Sequence, residues 1–85
     1  MPTISMFYGI LIRMYYDDHN PPHIHAIYND TEAVYELNGN MIEGKLPAKQ
    51  RKLVEAWISI HEEELRANWE LAKSGEQLFR IEPLK

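Results

Sequence analysis

Three of the four histidines, His19, His23 and His25, fall within seven residues of one another, in the stretch Asp17-Asp18-His19-Asn20-Pro21-Pro22-His23-Ile24-His25. Neutral imidazole is the commonest metal-ligating side chain, and imidazole also changes charge close to neutral pH. His23 and His25 are two apart, so on a strand they share a face. That pair could hold a divalent transition metal such as zinc, with His19, Asp17 or Asp18 completing a facial or tetrahedral set. Pro21 and Pro22 would hold the two arms of the turn in a fixed relation, which a preorganised ligand set requires.

The same residues suit acid–base chemistry without a metal. One histidine would act as general base, another as general acid, and Asp18 would orient an imidazole. Arg13, Tyr15 or Tyr16 would then bind phosphate, as in a metal-independent ribonuclease. The charge balance works against RNA as substrate: 9 Lys plus Arg against 13 Asp plus Glu give a formal charge of −4, which repels a phosphate backbone. The plainer alternative is that His23 and His25 are half-buried sheet residues bonded to main-chain carbonyls, while the prolines only stiffen a turn.

His61 is the remaining histidine. It falls inside the apolar stripe of a helical segment, with Glu64 three residues on and Asn68 four beyond that, all within one broad arc. Polar groups on a core-facing arc need partners. Either His61 and Glu64 satisfy one another or cap the end of the sheet, or this arc packs beside the turn and His61 and Glu64 join His19, His23 and His25 in one site, with His61 a further metal-ligand candidate. Trp57 and Trp69 read as core anchors rather than ligand platforms.

The elements that would position these groups follow from composition and pattern. With 85 residues, 45% hydrophobic and 26% charged, the chain reads as one globular domain over 1–85 with a modest core. A core of that size leaves a homo-oligomer open as an extra source of stability. Cysteine is absent, which removes disulfides, thiolate nucleophiles and Cys-based zinc sites. No apolar run approaches the roughly 20 residues that cross a bilayer, so the expectation is a cytoplasmic protein without membrane contact. Lys45, Lys49, Arg51 and Lys52 are the densest cationic group and read as a solvated helix start. Direct nucleic-acid binding by the chain alone is therefore not expected.

The run Gly9 to Tyr16 is β-branched, aromatic or long apolar apart from Arg13, and reads as a mostly buried strand. A shorter strand is predicted ahead of it over 3–8. His23 to Tyr28 alternates, Glu32 to Leu37 follows the turn residues Asn29-Asp30, and Met41 to Lys45 follows Asn38-Gly39-Asn40. Pro47 suits the first residue of a helix that no Gly or Pro interrupts up to Lys73, and Gly75 suits its end. Val54, Ile58, His61, Leu65, Trp69 and Ala72 form its stripe, with Leu53, Trp57, Ile60 and Leu71 widening it. Leu78 to Ile81 would add an edge strand or drape over the helix. The predicted class is α+β: an antiparallel β-meander of about four strands packed against one long, or bent, C-terminal helix.

The string Gly9-Ile10-Leu11-Ile12-Arg13-Met14-Tyr15-Tyr16-Asp17-Asp18-His19-Asn20-Pro21-Pro22-His23-Ile24-His25-Ala26 resembles the hallmark of a bacterial family catalogued as domain of unknown function 4160. Gly44-Lys45-Leu46-Pro47, the helical Trp57, His61, Glu64, Leu65, Asn68 and Trp69, and the ending Ile81-Glu82-Pro83-Leu84 extend the resemblance over essentially the whole chain. The family brings no settled activity. Its members are typically short stand-alone proteins, often encoded beside another small protein in the manner of toxin and antitoxin pairs. The resemblance thus implies a small partner protein from an adjacent gene, a basic companion that this acidic chain binds through its helix or an open sheet edge, by charge complementarity or strand addition.

Overall fold

The structure is a computed structural model that describes residues 2–16 and 20–85. Five strands, β1 (Thr3–Phe7), β2 (Ile10–Arg13), β3 (His23–Tyr28), β4 (Thr31–Glu36) and β5 (Met41–Gly44), precede a single helix, α1 (Ala48–Lys73). The strands form one antiparallel sheet in the order β1-β2-β3-β4-β5. The predicted α+β meander on a C-terminal helix is therefore correct, and the strand count is corrected from about four to five. The fifth strand is β1, which answers to the shorter strand predicted over 3–8, and its pairing with β2 shifts register between Thr3 and Ser5. The bulge buries Ile4 and Ser5 in succession and so erases the alternation that marks a strand.

The run predicted as one strand from Gly9 to Tyr16 pairs only over Ile10–Arg13. Tyr8 and Gly9 instead form the β1–β2 turn, both with positive φ (50° and 77°), as a two-residue turn matched to strand twist demands. At the far edge Gly44 is held at φ 81°, and a Cβ there would stand 2.1 Å from the Glu32 carbonyl oxygen. Only glycine permits that approach of β5 to β4.

Helix α1 runs unbroken by Gly or Pro but carries a kink at His61 (φ −113°, ψ 23°), so the bent form of the expected helix is the one observed. Its end is a Schellman arrangement: Gly75, at φ 72°, donates to the Ala72 carbonyl, and Glu76 donates to that of Leu71. Val54, Trp57, Ile58, Leu65, Trp69 and Ala72 are buried against the sheet residues Ile10, Ile12, Ile24, Ala26, Ala33 and Tyr35. Ile60 departs from the predicted stripe and is 65% exposed.

After the helix, the chain drapes back across α1 and touches the sheet edge. Asn68, wholly buried, clasps the main chain of Phe79 by donating to its carbonyl at 2.9 Å and accepting from its N–H at 3.0 Å. Trp57 Nε1 donates to the Glu82 carbonyl, and the Ile81 N–H donates to the Ile4 carbonyl on β1 at 2.8 Å. These bonds satisfy polar groups that burial would otherwise penalise. No helix among the described residues is long and apolar enough to cross a membrane.

Candidate functional site

Side chains alternate along each strand, so the helix covers one face of the sheet and the opposite face carries the other parity. The cross-strand registers place Thr3 opposite Arg13, Arg13 opposite His25, His25 opposite Val34, and Val34 opposite Glu43. These five residues form one row across all five strands on the face away from α1. The neighbouring row on that face is Met6, Leu11, Ile27 and Glu32. Leu11, Ile27 and Val34 are only partly covered, and Met6 is 55% exposed.

His25 is anchored within this face. Its Nδ1 lies 2.8 Å from Glu32 Oε2, a diagonal contact that the β3–β4 register makes available. A carboxylate can only accept, so Nδ1 carries the proton in this contact. The edge of the Tyr15 ring meets the imidazole with centroids 4.6 Å apart. Arg13, directly opposite on β2, has its Nε buried and without a hydrogen-bond partner among the described residues.

His23 occupies a different setting. It is the first residue of β3, only 3% exposed, and its Nδ1 donates to the Pro21 carbonyl at 2.7 Å, across a turn that contains a cis Asn20–Pro21 bond. Its ring lies 5.2 Å from that of His25 and 5.4 Å from that of Trp69. His23 thus bridges the helix-covered core and the uncovered face. Both rings use Nδ1–H as donor, one to a carbonyl and one to a carboxylate, the outer contacts that orient imidazoles toward a ligand at Nε2.

The three described histidines divide into two sets. His23 and His25 come together; His61 pairs with Glu64 and packs on Trp57 at 5.4 Å, both on its own helix. Trp69, which meets His23, lies eight residues further along α1, or roughly 12 Å of helix. His19, Asp17 and Asp18 lie outside the described residues. Among the described residues no group of three or more His, Asp or Glu is positioned to hold a metal ion. Sequence reasoning missed Glu32 as the partner of His25, although the signal was present: a two-residue turn at Asn29-Asp30 sets Ile27 opposite Glu32 and brings that carboxylate onto the diagonal of His25.

A family described as Domain of unknown function (DUF4160) matches residues 9–70. No curated protein and no solved structure shows significant similarity to the chain.

Proposed function

The chain belongs to the family Domain of unknown function (DUF4160), and on that premise we propose that it is the interaction component of a bacterial two-gene, toxin-antitoxin-like module. It docks a small protein encoded by the adjacent gene. The observation that carries this reading is the sheet face away from α1, where partly covered Leu11, Ile27 and Val34 and exposed Met6 sit among Arg13, His25, Glu32 and Glu43. Apolar side chains rimmed by mixed charge are the usual composition of a docking surface. Co-expression with the product of the adjacent gene, only one of the two tagged, should yield a stoichiometric complex by size exclusion. Failure to co-purify from either tag would overturn the reading.

A second reading rests on the imidazole pair. The 5.2 Å spacing of His23 and His25, and the carboxylate on His25, support a small hydrolase or ribonuclease in which His25 exchanges protons and Glu32 orients it. With His19 as third ligand the same pair would hold a divalent metal such as zinc. Addition of zinc or nickel should then raise the melting temperature, and His25→Ala should abolish cleavage or toxicity while the circular dichroism spectrum is kept. Cleavage that survives in His25→Ala removes this reading.

A further inference from the structure

Charge on the uncovered face is segregated along the strand order. Arg13 lies on β2, whereas Glu32 lies on β4 and Glu43 on β5, facing the same way. Adjacent strands are about 4.8 Å apart, so Arg13 and Glu43, three strands apart, are separated by roughly 14 Å of sheet. Between them in the row lie His25 and Val34, with Leu11 and Ile27 in the neighbouring row. Elsewhere in the described chain the arginines near carboxylates are paired, Arg66 with Glu62 and Arg51 with Glu55. Arg13 takes part in none of the described ion pairs, and its buried Nε has no acceptor among the described residues. A guanidinium presents five donors in a planar fork that a carboxylate fits side-on, and an unpaired buried donor carries a standing desolvation cost.

Resting on the partner reading above, we infer that Arg13 is the anchor for a carboxylate of the partner protein. That acid is flanked in the partner by apolar residues that cover Leu11, Ile27 and Val34, with a cation beyond them that meets Glu43 and Glu32. The order acid, apolar, base mirrors the order base, apolar, acid read from β2 to β5. A nucleic-acid strand fits this face poorly, because a phosphate every few ångströms would meet Glu32 and Glu43 after its first contact. A protein segment can alternate its charges and a phosphate backbone cannot.

The test uses the purified complex with the adjacent gene's product and Arg13→Gln, which keeps the start of the aliphatic stem and a polar end but removes the charged fork. Affinity measured by titration calorimetry should fall on the order of 30-fold or more, with Arg13→Lys intermediate because it restores charge without the fork. Lys52→Gln, on the exposed start of α1, should bind as the wild type. Arg13→Glu should lose binding and regain it when the partner's contacting Asp or Glu is changed to Lys. Melting curves of each variant alone, unchanged from wild type, exclude misfolding as the cause. Should the wild type bind and Arg13→Gln bind equally well, the anchor assignment falls and the partner reading stands; should the wild type bind no product at all, both fall. Binding of an RNA oligonucleotide that is lost in Arg13→Gln, with protein binding intact, would overturn the carboxylate in favour of a phosphate.

Discussion

The two faces of the sheet are made by alternate residues of the same strands, yet they have opposite characters. Under α1, the row Ser5, Ile12, Ala26 and Ala33 is small or aliphatic, and Tyr35 from β4 brings a phenol into that core cluster. One residue along, the row Thr3, Arg13, His25, Val34 and Glu43 mixes cation, imidazole, aliphatic and acid. Burial against a helix selects volume and excludes unpaired charge. The other face kept a charge, Arg13, whose buried Nε has no hydrogen-bond partner among the described residues, whereas the atoms so placed under the helix, Ser5 Oγ and Tyr35 Oη, are neutral.

The comparison breaks most severely if the closed face is emptied. Trp57→Ala removes a fully buried indole that packs on Phe7 with centroids 5.4 Å apart and also deletes the bond to the Glu82 carbonyl. Urea denaturation should report a loss of about 3–5 kcal/mol, a large part of what a domain of this size possesses. A loss below about 1 kcal/mol would mean that the closed face is not where stability resides. Tyr35→Phe sharpens the contrast from the polar side. The Tyr35 hydroxyl is buried with no hydrogen-bond partner among the described residues, so its removal should leave stability at pH 7 unchanged or slightly higher.

Alkali should separate the two proteins. Burial first, and then the Glu55 charge, push the Tyr35 hydroxyl from its ordinary 10.0 up to about 12, with Arg51 opposing. The unfolded chain therefore releases this proton first. The associated stability is intact below pH 10 and is lost as pH rises toward about 12, a difference on the order of 2–3 kcal/mol that Tyr35→Phe should not show. Parallel alkaline unfolding curves for the two would refute it. The smallest effect is expected on the uncovered face, where Met6→Thr should change stability by no more than about 0.5 kcal/mol by thermal melting.

Much of this contrast was readable before any fold was known, and its limits are physical. Turn residues and alternation located β3, β4 and β5, and Gly75 located the helix end, because each signal is local. Strand β1 was legible as a shorter strand over 3–8 but its bulge was not, and the Gly9 to Tyr16 run looked longer than its four-residue ladder because Met14 is buried without being paired in it. Spacing put Ile60 on the helical stripe, but spacing cannot say how wide a sheet lies beneath. His23 and His25 were correctly expected to share a parity. Their unequal burial was not legible, since it depends on Trp69 arriving from more than forty residues away to cover the end of β3. The clasp of Asn68 on Phe79 was equally hidden, being a tertiary contact between a helix and a segment without regular structure.

The drape of the tail over β1 has a temporal side. Ile4 leaves the ribosome long before Ile81, so the outer carbonyl that Ile81 will engage, and the indole nitrogen of Trp57 that awaits Glu82, stay solvated while the meander and helix assemble. The domain is closed by its late-made segment. A nascent chain carrying the complete sheet and helix would still present an unlatched first strand, open to pairing with a neighbour until the latch emerges.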